Sequence, residues 1–417
     1  MIKKIIVSLC LLFSFSALAQ EGTSSPYSFY GIGDVKFKGT IDTRSMGGVS
    51  VFPDSIHLNL QNPAQLASLK LTVFALGGTY ANTKSKTETQ EEKARRTALD
   101  YLAIGIPIGK LGIGFGLIPY SSVGYKIQTL SDDEDPIFSR YSGIGGVNKV
   151  FVGAGYQLTK KINIGADIQY NFGTIETTNL RYQNVIQYGT REINTSEISG
   201  LNATFGATYQ TKINNKYSFF SSLTYSPESE VKLGNRRTID IVQFSSVGSI
   251  DVIERQEVEG IDDTTIKLPT KLAFGTGFGQ IKKWLIGAEV TFLNTSVTTN
   301  RFTDIEGAYF ENATRYSLGG YFIPNFNSYS SYFKRITYRA GIRYENTGLV
   351  IQGKSITDTA VNAGFGLPLG GIFSKINIGL EMGKRGTTYY NLVEENYFNL
   401  SVGLSLSDRW FVKRKID

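Results

Sequence analysis

Alternation of apolar and polar side chains with a period of two is the feature that most limits what this chain can become. In Asn163-Ile164-Gly165-Ala166-Asp167-Ile168-Gln169-Tyr170 one set of side chains suits lipid and the other suits a polar lumen, which is the signature of a strand with two different faces. The pattern recurs and predicts strands near 70–81, 97–108, 110–125, 148–158, 161–173, 199–211, 216–226, 268–278, 283–294, 314–322, 335–343, 356–368, 373–384 and 396–406. About fourteen strands, an even number, return the chain to its starting side, and closure into a barrel leaves no unpaired backbone edge in lipid. The fold class expected is therefore all-β, an integral outer-membrane antiparallel β-barrel. A mean hydropathy of -0.11 does not oppose this, because strands that alternate faces average out their apolar half.

The connections support the reading. Gly109-Lys110, Thr159-Lys160-Lys161, Lys212-Ile213-Asn214-Asn215, Gln280-Ile281-Lys282 and Leu369-Gly370-Gly371 are short and turn-like. Longer polar stretches at 82–96, 126–147, 174–198, 227–267, 295–313, 345–355 and 385–395 lie between them. Bacterial barrels place short turns in the periplasm and long loops outside, so both termini are expected to be periplasmic. The link 323–334 breaks the alternation, being long where a turn is expected. The 227–267 stretch, with Val231, Ile239, Ile241, Val242, Phe244, Val247, Ile250 and Val252, reads as a β-rich extension above the membrane.

Export is written at the start of the chain. Lys3 and Lys4 precede an apolar run from Ile5 to Phe15, and Ala17-Leu18-Ala19 offers a cleavage site after Ala19. A run of about eleven residues is too short to span a bilayer as a helix. Cys10, the one cysteine, lies in this leader, so the mature chain has no disulfide and no lipid-bearing cysteine. The 45 Gly, 24 Tyr and 26 Phe fit long antiparallel sheets. The net charge of +7 is spread along the chain with no basic stripe, so no nucleic-acid partner is expected.

Residues 20–69 lack clean alternation and contain Gly47-Gly48 and Asn62-Pro63-Ala64. A bore of this strand number is too wide for lining side chains alone to fill, and a plug inside the lumen would account for the segment. The domains expected are a signal peptide at 1–19, an N-terminal hatch at 20–69, a transmembrane barrel at 70–412 and a periplasmic tail at 413–417.

Several of these residues, taken in order, resemble the FadL/TodX-type outer-membrane transport barrels. They are Ser45-Met46-Gly47-Gly48-Val49, then Leu60-Gln61-Asn62-Pro63-Ala64-Gln65-Leu66, then Leu268-Pro269 leading into Leu272-Ala273-Phe274-Gly275. The end of the chain, with Gly383-Lys384-Arg385-Gly386 and Asp408-Arg409-Trp410-Phe411, is similar to the Bacteroidota branch with its PorV-like relatives. The resemblance implies a fourteen-stranded barrel holding a hatch, here with Asn59, Asn62, Pro63 and Ala64. It also implies passive uptake of hydrophobic small molecules that leave sideways at a kinked third strand. Pro119, followed by Tyr120 and Ser121, interrupts that strand, and proline cannot donate a ladder hydrogen bond. The alternative the family allows is a non-transporting accessory barrel that binds or scaffolds partners in a protein-secretion or outer-membrane-protein assembly complex. Expected partners are outer-membrane lipid and either hydrophobic small molecules or other outer-membrane or periplasmic proteins.

Catalysis is not expected. His57 is the one histidine and stands in the hatch beside Ile56 and Leu58, without the partners of a nucleophilic site. Asp132-Asp133-Glu134-Asp135 lacks the spaced ligands of a calcium loop and reads as a solvated loop tip, so neither metal nor cofactor is expected. Trp410 and Phe411 read as interfacial anchors, and Lys413-Arg414-Lys415 as a basic tail.

Overall fold

The computed structural model describes residues 23–37, 39–131, 136–183, 186–244, 250–301, 307–369 and 374–410. The leader, the acidic run 132–135, Gly370-Gly371, Phe411 and the basic tail lie outside them.

A short strand, β1 (Asp34–Val35), belongs to the N-terminal segment. The wall begins with β2 (Thr72–Lys86), β3 (Glu91–Ile108), β4 (Leu111–Leu130), β5 (Ile137–Gln157), β6 (Ile162–Gln183) and β7 (Tyr188–Lys212). The seventh wall strand is split at Pro227 into β8 (Ser218–Ser226) and β9 (Ser229–Phe244), and β10 (Ile250–Val258) folds back on the latter. The eighth is split at Pro269 into β11 (Thr264–Leu268) and β12 (Lys271–Gln280). Then come β13 (Trp284–Leu293), the short β14 (Ala308–Phe310), β15 (Ala313–Phe322), β16 (Thr337–Ile351), β17 (Lys354–Pro368), β18 (Lys375–Gly386) and β19 (Glu394–Asp408). β19 pairs with β2 from Glu394↔Lys86 to Asp408↔Thr72, which closes a fourteen-stranded antiparallel barrel.

Alternation places Val150, Val152, Ile164, Ile168, Leu201, Phe205, Phe274, Ile286 and Val361 outward and exposed, the belt that lipid would cover. The expected strands are all present, but many run further. Much of 82–96, 126–147, 174–198 and 345–355 is strand, and the β16–β17 connection is the tight turn Gln352-Gly353. Above the belt a strand needs no apolar face, so its alternation fades while its ladder continues. The 323–334 link is an irregular connection, as expected, and contains one turn of 3-10 helix at Phe333–Arg335.

Residues 23–71 touch the inner side of the wall around its circumference. Tyr27 packs with Leu349, Ile351, Ile356 and Leu392, and Ile32 packs across the bore with Val123, Val147, Ile175 and Leu233. Further along, Ser405 and Ser407 at the opposite rim donate to the Ile56 carbonyl. The first described residues lie at the long-loop mouth, where the Tyr27 hydroxyl donates to the Val393 carbonyl, and β19 ends at the short-turn rim. The segment descends through the bore to reach Thr72, a further pass that the even count of wall strands leaves out.

Candidate functional site

Two constructions set what the lumen can do: the seat of the N-terminal segment and a break in the wall.

The seat is made by glycines in register. Gly112↔Gly155↔Gly165↔Gly206 lie side by side across β4 to β7, and Gly277↔Gly287↔Gly319↔Gly341 do so across β12 to β16. With no side chain on the inner face, each row is a trough that backbone can enter. A Cβ at Gly112 would strike the Leu66 carbonyl, one at Gly206 the Asn62 Oδ1, and one at Gly319 the Met46 carbonyl. The first row takes the 3-10 turn Pro63–Ser68, which proline begins and Asn62 caps. Asn62 is fully buried, and its Oδ1 accepts from the Ala64 N–H at 3.0 Å. Its amide nitrogen donates to the Ala207 and Leu223 carbonyls at 3.3 and 3.2 Å. Asn59 Oδ1 accepts from Gln61 and Asn62 N–H and its Nδ2 donates to the Ser50 carbonyl, which tightens the same loop. Asn59, Asn62, Pro63 and Ala64 are thus brought together.

Charged side chains from the wall hold the segment from the other side. Arg44 forms a two-point pair with Asp100 at 3.2 and 3.3 Å and donates to Thr79 Oγ1. Arg385 donates to Asp34 at 2.7 Å, and Glu289 accepts from both the N–H and hydroxyl of Ser50. Breaking one buried pair by removing one partner costs about 3–5 kcal/mol.

The break lies between β3 and β4. Their ladder runs from Ile108↔Leu111 to Leu102↔Leu117 and stops, although β3 continues to Glu91 and β4 to Leu130. Each strand carries a bulge at that height. Asp100 is skipped in the β2–β3 register and Tyr120 in the β4–β5 register, after Pro119. A bulge bends its own strand and increases local twist, so the facing edges diverge. Above the split, a space of ≈ 680 Å³ is lined by Thr97, Ala98 and Leu99 on one side and Pro119, Ser121 and Ser122 on the other. Gly145 and Gly146, with φ of 107° and 153°, line it from β5. From inside, β1 pairs with β4 through Asp34↔Ser122 and Val35↔Ser121, and Ser121 Oγ donates to the Ile32 carbonyl.

Pro119, Tyr120 and Ser121 therefore stand at this split. Three features of it escaped sequence reasoning: the Asp100 bulge, the glycine rows and the filling of the gap by β1. Asp100 looks like an ordinary polar member of an alternating strand, and the rows exist only once register is known. His57 Nδ1 contacts Asp54 Oδ2 at 2.7 Å within the segment. Among the described residues no group of three or more His, Cys, Asp or Glu is placed to hold a metal ion.

A closed antiparallel barrel of fourteen strands with an outward apolar belt defines the class, a β-barrel of the outer-membrane kind. The chain belongs to the BamG family, which matches it over residues 1–417. No curated protein matches it. Among solved structures it is similar to the toluene transporter TodX of Pseudomonas putida, at 17% identity over 91% of this chain and 100% of that one, with a TM-score of 0.60. The toluene transporter TbuX of Ralstonia pickettii is 16% identical over 89% and 99%, TM-score 0.60. The monoaromatic hydrocarbon channel CymD is 15% identical over 93% and 99%, TM-score 0.58. At these identities the likeness is one of fold.

Proposed function

We propose that this chain is an accessory barrel of the outer membrane, which binds partner proteins in a secretion or outer-membrane-protein assembly complex and does not pass solutes. The observation that carries the reading is the packing of the upper lumen. Its apolar cluster of Tyr120, Val123, Val147, Ile175, Leu233 and Ile266 is filled by the chain's own Ile32, each residue being 0–5% exposed. Phe29 adds an edge-on contact to Tyr125 at 5.1 Å. The cavity that adjoins the mouth, ≈ 190 Å³, is lined by Asp34, Arg44, Arg343, Asp358, Glu381 and Arg385, a surface costly for an apolar solute to displace water from. The family name points to protein partners, and the Bacteroidota affinity read from the chain's end belongs to the same proposal.

One observation favours the second reading, passive uptake of hydrophobic small molecules with lateral release. It is the ≈ 680 Å³ space beside Pro119, which a hatch able to withdraw β1 would open. Gentle-detergent purification of the tagged native protein, with mass spectrometry of proteins and extracted lipophilic molecules, separates the two. A stoichiometric set of envelope proteins is expected. A lone barrel carrying an apolar ligand would overturn the accessory reading in favour of uptake.

A further inference from the structure

Basic residues that are scattered along the sequence are gathered in space. Every second connection of an antiparallel barrel returns to the same rim, so a residue type that recurs at the short turns becomes a ring. Five connections at that rim are fully described, and each carries exposed lysine. Lys110 lies between β3 and β4, and Lys160 and Lys161 lie between β5 and β6. Lys212 and Lys216 flank the β7–β8 turn, Lys282 and Lys283 the β12–β13 turn, and Lys334 stands in the link from β15 to β16. Among the described residues at this rim the exposed carboxylates are Asp54, which contacts His57 Nδ1, and Asp408. Exposed acids such as Glu88, Glu92, Glu230, Glu257 and Glu259 lie at the opposite end.

Aromatic rings mark the depth at which the lysines begin. Tyr217, Phe278 and Trp284 meet where β8, β12 and β13 reach the rim, Phe278 lying 5.3 Å from Tyr217 and 5.8 Å from Trp284. Tyr338 and Phe365, register partners on β16 and β17, are edge to face at 5.9 Å. Rings of this kind collect where hydrocarbon gives way to head groups, and the turns lie just beyond them. Each turn also sets an exposed apolar side chain beside its ammonium: Ile108, Leu158, Ile213, Ile281 and Phe333. In the long link Tyr329 is fully exposed, and the Tyr338 hydroxyl donates to the Phe333 carbonyl at 3.3 Å, which ties the link to the outward row of β16. A docked protein touches one sector of a barrel, whereas this pairing of ammonium and apolar side chain recurs at turn after turn around it. Lipid is the partner that surrounds a barrel.

We propose that the short-turn rim binds anionic phospholipid, its lysines meeting head groups that carry no compensating amine while the neighbouring apolar side chains enter the acyl layer. Bacterial barrels turn this rim to the periplasm, so the leaflet concerned is the periplasmic one. The inference holds under either reading of the barrel's role.

The test reconstitutes the full-length barrel in phosphatidylcholine bilayers containing spin-labelled phosphatidylglycerol or spin-labelled phosphatidylcholine. Electron paramagnetic resonance reads the fraction of label held at the protein. Phosphatidylglycerol is expected to be held about twofold more strongly, with the preference falling in high salt, which screens exposed charge. Combining Lys160→Gln, Lys161→Gln, Lys212→Gln, Lys216→Gln, Lys282→Gln and Lys283→Gln is expected to remove most of the preference and leave phosphatidylcholine association unchanged. The salt series on the native barrel decides the matter should that variant fail to fold. Equal retention of the two labels, a preference indifferent to salt, or one surviving in the folded variant would overturn the proposal. So would the absence of lipid preference together with loss of a co-purifying acidic protein from the variant, a result that assigns the rim to a protein.

Discussion

With its amide hydrogens given to the Ala207 and Leu223 carbonyls and its Oδ1 taken by the Ala64 N–H, Asn62 ties a turn of the inner segment to two strands of the wall. Asn62→Ala removes those bonds inside a fully buried site, where each group left unsatisfied costs about 1–3 kcal/mol. Faster trypsin cleavage after Arg44 is expected in the detergent-solubilised protein, and an unchanged rate would refute the role. Gly206→Ala should act in the same direction, because its Cβ collides with Asn62 Oδ1. At the other end of the molecule, Asp240 accepts from Arg255 and Arg191, and those bonds hold its carboxyl below the usual range. A depressed folded-state value contributes stability above the unfolded value of about 4 and loses it as pH falls through the folded one. The β9–β10 hairpin should therefore become sensitive to pepsin only at the acid end, whereas Asp240→Asn should be cut equally at every pH at which pepsin works.

At the scale of elements, the sequence located the bulge after Pro119 because proline cannot donate a ladder hydrogen bond. It did not locate the partner bulge at Asp100, which depends on how β2 and β3 choose their register. The same limit applies to β1, two residues whose pairing with Ser121 and Ser122 is created by the segment's path through the bore. Because Val35 and Ser121 are register partners, Val35→Cys with Ser121→Cys should form a disulfide under mild oxidation, seen as a gel shift reversed by reductant. Locked in this way, an accessory barrel should retain its partners. A transporter that must release β1 should lose uptake while its reduced form keeps it.

For the whole molecule, the barrel gains its closed interior from two kinds of contact that oppose withdrawal of the segment: backbone sunk into glycine troughs and ion pairs shielded from water. Arg44→Ala removes a two-point pair and leaves Asp100 buried without its partner. Planar-bilayer recordings should show rare conductance for the native barrel and frequent opening for Arg44→Ala. Equal, silent traces would mean that the troughs alone hold the segment.

Alternation by itself determined the all-β class and nearly every wall strand, because a strand in lipid must sort its side chains by face residue by residue. The lack of alternation ahead of the first strand likewise marked something other than wall there, where the structure lays residues 23–37 and 39–71 along the inner side of the barrel. Strand ends above the belt were hidden, since water places no such demand on them. Tertiary structure alone decided the register that aligns Gly112, Gly155, Gly165 and Gly206, the split above Leu102 and Leu117, and the packing of Tyr27 and Ile32 into apolar clusters of the wall. Each of these joins residues far apart in sequence, and only closure of the barrel around its own N-terminal segment brings them within reach of one another.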